Sequence, residues 1–235
     1  MIIDNLKCIF VHIPRTGGSS VEVALNNGHI QRCHFTAQKL KDSHHAYEGG
    51  TVRPYSAVWH KYFKFSIVRN PFDWLISLYY HPHVGSSTYY RYHSPRPGSN
   101  GPYNIVDTHP DYSETWKREN ELKSDGISYP ARSLEDFIKY PALFDFESDL
   151  GPESILHSVW MGDDMDYVMR FENLQEDFDC LCEKLNIPKE KLPFTGLPTE
   201  RNKSYHSYYD GNPELIDAVN KRFKKDLVKF GYSYE

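Results

Sequence analysis

Residues 9–25 read "IFVHIPRTGGSSVEVAL": an apolar, partly β-branched run, a proline, an arginine, a glycine pair, two serines, then apolar residues at helical spacing. A strand that feeds a glycine-containing turn and then a helix makes an anion site. The turn's N–H groups converge, and the helix N-terminus adds partial positive charge. Gly17 and Gly18 allow close backbone approach, Ser19 and Ser20 can donate hydroxyl hydrogen bonds, and Arg15 adds a formal positive charge. The stretch does not match G-x-x-x-x-G-K-[ST], so the lysine and magnesium-binding hydroxyl of an ATPase or kinase are absent in that register. An ordinary strand–turn–helix with an N-capping serine would read the same way locally.

Two further segments repeat the strand-then-helix pattern. "YFKFSIV" (62–68) precedes Asn70-Pro71 and the helix-like "DWLISLYYH" (73–81). "DYVMRFE" (166–172) precedes "LQEDFDCLCEKLN" (174–186), in which Leu174, Phe178, Leu181 and Leu185 share a helical spacing. With "KCIFVHI" (7–13) and a helix near 18–27, the alternation predicts an α/β fold with a central, mainly parallel sheet flanked by helices. Ligands of such sheets bind at the carboxyl ends of the strands, where the 14–20 and 69–71 turns both lie. Helical patterns also occur at 133–140 and 152–160, and over 213–232 between Pro213 and Gly231. Residues 82–133, rich in Gly, Pro, Ser, Tyr and His, interrupt a single domain spanning 1–235 and read as an acceptor-binding or lid insertion.

The totals narrow the classes of partner. A net charge of -5 over 235 residues argues against a nucleic-acid binder, so an anionic ligand needs a local pocket. No apolar run approaches the roughly 20 residues that span a bilayer. The start, "MIIDNLKCIF", carries an early Asp4 and lacks a basic region before a long apolar run, so it is no secretory signal. Cys8, Cys33, Cys180 and Cys182 fit no disulfide framework and suit a reducing, cytoplasmic compartment. Cys180 and Cys182 should face different sides of one helix. Cys33-His34 has no second ligand pair at metal spacing, so no metal site is expected.

The second turn adds chemistry. Arg69 ends its strand and Ser77 follows eight residues later, two turns into the next helix. An arginine fork can hold a phosphate bidentately, and the serine can reach the same group. Two anion sites at two strand ends suit a ligand with two separate phosphates, a nucleoside bisphosphate rather than ATP.

These stretches resemble the P-loop-related sulfotransferases that use 3′-phosphoadenosine 5′-phosphosulfate (PAPS), above all the carbohydrate (sulfotransferase family 2-like) branch. "PRTGGSS" (14–20) stands where that family carries P-K-T-G-G-[ST]-[ST], its 5′-phosphosulfate loop. The family's 3′-phosphate motif is matched by Arg69, Asn70, Pro71, Asp73 and Ser77. "DYVMRFENLQEDF" resembles its third strand and helix, and "FKKDLVKFGYSYE" its usual ending.

The resemblance implies a P-loop-like three-layer fold and sulfuryl transfer from PAPS, without a metal, to a hydroxyl of a carbohydrate or glycoconjugate. It assigns Arg15, Thr16, Gly17, Gly18, Ser19, Ser20, Arg69 and Ser77 to the donor. "RNKSYHSYYD" (201–210) resembles a segment near the nucleotide, which adds Arg201 and Lys203. "CHFTAQKL" (33–40) resembles the segment that bears the catalytic histidine in relatives, making His34 the first candidate base and His45, in "DSHHAYEGG", the second. Glu48 is a further candidate, and His12 reads as a strand residue packed beside the loop. One departure stands out: Arg15 occupies the family's lysine position, and a planar fork differs from a compact ammonium. An ATP-dependent small-molecule kinase, or a non-catalytic nucleotide- or glycan-binding module on the same fold, are the alternatives.

Overall fold

The computed structural model describes residues 1–29, 34–46, 52–79, 135, 138, 156–195 and 204–235. Its strands are β1 (Ile2–Ile3), β2 (Cys8–Val11), β3 (His44–Ala46), β4 (Val52–Pro54), β5 (Phe63–Val68) and β6 (Tyr167–Arg170). The main sheet has the order β1-β2-β5-β6, and β3 pairs separately with β4. Strands β2, β5 and β6 run parallel, with Val11 opposite Ser66 and Val68 opposite Arg170. Both expected turns therefore leave the same end of the sheet, from neighbouring strands.

The sheet is mixed rather than wholly parallel, because β1 runs antiparallel to β2. A single 3-10 turn at Asp4–Leu6 and a left-handed Lys7 (φ 49°) fold the chain back on itself. In the sequence those residues read only as an approach to the first strand. A two-residue strand carries too little alternation to register.

Helices α1 (Gly18–Leu25), α2 (Ala37–Asp42), α3 (Ser56–Trp59) and α4 (Pro71–Tyr79) belong to the N-terminal half. After β6 come α6 (Leu174–Leu185), α7 (His206–Tyr209), α8 (Pro213–Arg222) and α9 (Lys224–Phe230), with α5 (His157–Met161) before it. Strand β2 is apolar throughout and β5 is apolar apart from Lys64 and Ser66, because both faces of the sheet are covered. On one face Phe10, Phe65, Ile67 and Met169 meet Val21 and Leu25 of α1 and Phe178, Leu181 and Cys182 of α6. On the other, Ile9 and Val11 meet Ala37, Leu40, Val58 and Trp59. Each such apolar side chain contributes about 1.5–3 kcal/mol on burial. A third cluster packs Phe72, Trp74, Leu75 and Leu78 of α4 against Leu215, Val219, Phe223 and Leu227.

The helix ends follow their sequence signals. Asn70 accepts from the Phe72 N–H ahead of Pro71, Asn212 caps α8 ahead of Pro213, and Gly231 closes α9 in the left-handed region (φ 64°). The 213–232 stretch is two helices, not one. Phe223, with φ -97° and ψ 15°, leaves the helix to bury its ring against Trp74. Cys180 is exposed and Cys182 buried, on different sides of α6 as expected. Burial raises the Cys8 thiol to about 12. No helix among the described residues is long and apolar enough to cross a membrane. The expected insertion at 82–133 lies outside the described residues, as does most of 133–140, where Glu135 and Ile138 are helical.

Candidate functional site

The turn after β2 is shaped by two residues in the left-handed region, Arg15 (φ 64°) and Gly17 (φ 87°). That conformation is costly for arginine and natural for glycine. The Thr16 hydroxyl is fully buried and donates to the Ile13 carbonyl at 2.8 Å, clasping the turn from within. The glycine pair admits the protein's own side chains. A Cβ on Gly17 would lie 2.7 Å from Leu174 Cδ2, and one on Gly18 only 2.3 Å from the His12 ring. Ser19 and Ser20 are half-buried in the first turn of α1, where Ser20 Oγ lies 3.1 Å from Thr195 Oγ1.

The second turn locks onto the first. Arg15 Nε donates to Ser77 Oγ at 3.2 Å, and Arg69 Nη1 donates to the Arg15 carbonyl at 2.8 Å. Trp74 Nε1 donates to the Pro14 carbonyl at 2.8 Å. Residues 54 to 62 positions apart in sequence thus tie the two turns together. Burial, and then the neighbouring Arg69 charge, pull Arg15 down to about 10, which leaves it cationic at neutral pH. Two guanidinium groups held this close invite negative charge between them.

Arg69 has partners of its own. Its Nε and Nη2 both reach Asp73 Oδ2, at 2.7 and 2.6 Å, and its guanidinium lies 3.8 Å over the Phe171 ring. The fork that the sequence reading gave to a phosphate is turned on the i+4 carboxylate. Among the described residues the Ser77 hydroxyl accepts from Arg15, and its own hydrogen can be donated to an anion. Beneath this, His157 Nδ1 accepts from the Arg69 N–H at 3.4 Å; burial, outweighing the nearby Asp226, lowers His157 to about 4. Asp226 accepts from the His157 and Ser158 N–H groups at 2.6 and 3.0 Å and from the Ser158 hydroxyl.

Beside the loop sit three side chains in contact. His12 Nδ1 is 2.8 Å from Glu22 Oε1, and both residues are buried. The His12 ring stacks on Phe10 at 5.1 Å and meets the His34 ring edge-on at 4.4 Å. His34 Nδ1 lies 3.2 Å from the His12 carbonyl. His34 thereby lies next to the end of β2. His12, expected as a strand residue, lies one position past β2 and is packed beside the site as its position suggests. His45 is on β3, opposite Arg53. Glu48, Arg201 and Lys203 lie outside the described residues.

The sequence reading missed two carboxylates. Glu22, to which the sequence reading gives no role, is fully buried on α1. Glu172 links the strand ends: Oε1 accepts from the Asn70 N–H at 2.7 Å and Oε2 from the Tyr232 hydroxyl at 2.8 Å. Only Glu22's i+4 step from Gly18, on the helix face that turns inward, hinted at its burial. Among the described residues no group of three or more His, Cys, Asp or Glu side chains could hold a metal ion.

A family model described as "Sulfotransferase family" matches residues 1–233, nearly the whole chain. No curated protein and no solved structure matches it.

Proposed function

The chain belongs to the sulfotransferase family, and from that premise we propose that it moves a sulfuryl group from PAPS to a hydroxyl of a carbohydrate or glycoconjugate acceptor. On this reading the fold is P-loop-like, and 82–133 is an acceptor-binding insertion within one domain. The compartment is cytoplasmic, in keeping with free thiols at Cys8, Cys180 and Cys182. The observation that carries the proposal is the interlock of the two strand-end turns through Arg15, Ser77 and Arg69.

The chemistry is an in-line displacement. The acceptor oxygen forms a bond to sulfur as sulfur's bond to the phosphate's bridging oxygen breaks, and adenosine 3′,5′-bisphosphate leaves. Catalysis of this kind rests mostly on positioning and charge stabilisation. The amides of 15–20, the N-terminus of α1 and the Arg15 cation meet the charge that grows on the departing phosphate. Ser77 and Arg69 hold the second phosphate. Arg69, balanced by Asp73, holds the Arg15 carbonyl and so sets the distance between the two anion sites. Arg201 and Lys203 complete the nucleotide side. His34 removes the acceptor's proton, a step worth roughly 10²–10⁴-fold; His45 is the second candidate for that role. Since protein donors carry the leaving charge, the mechanism requires no metal.

Thermal shift with adenosine 3′,5′-bisphosphate, beside ATP with magnesium and then with chelator, tests the donor site. Ligand at about 100 times its Kd should add about 2.7 kcal/mol. Stabilisation by the bisphosphate, indifferent to chelator, is expected. Stabilisation by magnesium-ATP alone would point to the kinase. Bisphosphate binding without transfer of label from PAPS to any carbohydrate hydroxyl would leave a binding module.

A further inference from the structure

We infer that Glu22 and His12 form a positioning relay for His34, fixing its tautomer and ring plane and tying the proton acceptor to the anion loop. This inference rests on His34 being the base.

The starting point is the expense of the pair. Glu22 has no solvent exposure and His12 has 2%. A buried ionisable pair is weak evidence for stability, because apolar residues of the same volume would serve the core as well. What distinguishes this pair is its position. His12 lies at the end of β2 and Glu22 in the second turn of α1, so their 2.8 Å contact closes the loop 13–18 at its base. The His12 ring is confined on its other sides too. Phe10 stacks behind it, His34 meets it edge-on, and Gly18 comes so close that a Cβ there would overlap Cδ2 and Nε2. An ionised Glu22 accepts only, so His12 Nδ1 carries the hydrogen. His12 is therefore locked in one tautomer and one ring plane, and the backbone at residue 12 is locked with it.

That backbone is what His34 reads. The His12 carbonyl is an acceptor only, and His34 Nδ1 lies 3.2 Å from it. His34 must then carry its proton on Nδ1 and present the Nε2 lone pair. Nε2 is thus the atom that takes the acceptor's proton, and the imidazolium that results keeps its hydrogen bond to the carbonyl. The 4.4 Å contact between the rings sets the plane in which Nε2 points. A carboxylate holding an imidazole so that a reacting group is correctly oriented is a recurring arrangement in catalytic sites, and loss of such an outer partner typically costs 10–100-fold. Here the chain has one more link, and its far end stands on the helix that forms the donor loop. Any movement of α1 is passed to His34 through residue 12.

The test uses the full chain labelled with ¹⁵N-histidine, with His34 assigned through His34→Gln. Imidazole ¹H–¹⁵N correlation spectra should show His34 protonated at Nδ1 and not at Nε2 in the wild type. Glu22→Gln, which keeps the shape and removes the charge, should give mixed tautomers or a broadened His34 signal. It should also lower kcat for sulfuryl transfer by about 10-fold or more while KM for PAPS stays within about 3-fold. Glu22→Asp should recover part of the kcat loss. Should Glu22→Gln fail to unfold cooperatively, His12→Gln takes its place; it retains a donor for Glu22 and the carbonyl but removes the ring. An Nε2-protonated His34 in the wild type, or a His34 spectrum and kcat unchanged in the variant, overturns the inference. The tautomer is read without turnover. A chain that transfers no sulfuryl group but shows the expected spectra would sink the functional proposal and with it the relay's catalytic role, leaving only the positioning of the His34 ring by Glu22 and His12.

Discussion

Gly18→Ala puts one methyl group where the structure has no room for it. The added Cβ would lie 2.3 Å from both Cδ2 and Nε2 of His12 and 2.9 Å from Cε1. Carbon atoms rest at about 3.5–4.0 Å, so the ring or the helix must retreat by roughly 1 Å or more. The ring has nowhere to go, with Phe10 stacked at 5.1 Å and Glu22 bonded at 2.8 Å. Helix α1 must move instead. Overpacking of this kind costs about 1–3 kcal/mol, and stretching a hydrogen bond to a charged group forfeits part of about 1.5–3 kcal/mol more. We expect a loss of about 3 kcal/mol in urea unfolding and a Tm lower by about 6–12 °C for a chain of this size. Because the loop amides travel with α1, adenosine 3′,5′-bisphosphate should stabilise the variant by less than half of its effect on the wild type. A Tm within about 2 °C of wild type, with the full response to bisphosphate, would refute the reasoning. It would mean that ring and helix adjust freely.

Two other perturbations bear on the second turn. Asp73→Ala leaves the Arg69 cation without the carboxylate that meets both Nε and Nη2, and removing one partner of a buried pair costs about 3–5 kcal/mol; chemical denaturation measures it, and a loss below about 1 kcal/mol would place the pair among weak surface bridges. The buried His157 supplies a pH signature. Its folded pKa falls from 6.5 to about 4, so the unfolded chain binds the proton first as pH drops. Its contribution is complete above about pH 6.5 and is lost on going down to about pH 4, a change of about 3 kcal/mol. Stability curves of wild type and His157→Gln should therefore converge as pH falls through that window; parallel curves would contradict the burial of a neutral imidazole.

The α/β class, the mainly parallel sheet and the two turns at its carboxyl end were legible in the sequence, because those features are written in local chemistry. Strand runs, Asn70-Pro71 at a helix entry, Gly17 where φ is positive, and Gly231 past a helix end each act within a few residues. The family, too, was legible in the two turn motifs, and its model covers residues 1–233. The pairing of groups remote along the chain, by contrast, emerges only from packing. Arg15 meets Ser77 across 62 positions, and His34 meets the His12 carbonyl across 22. Arg69, whose residue type and place at a strand end suggested a phosphate, also pairs with Asp73, four residues on. Glu22, one acidic residue among many on paper, became the anchor of His12 once α1 packed on the sheet and removed it from water. Residue type states which partners a side chain can accept; the packing that excludes water decides which one it gets.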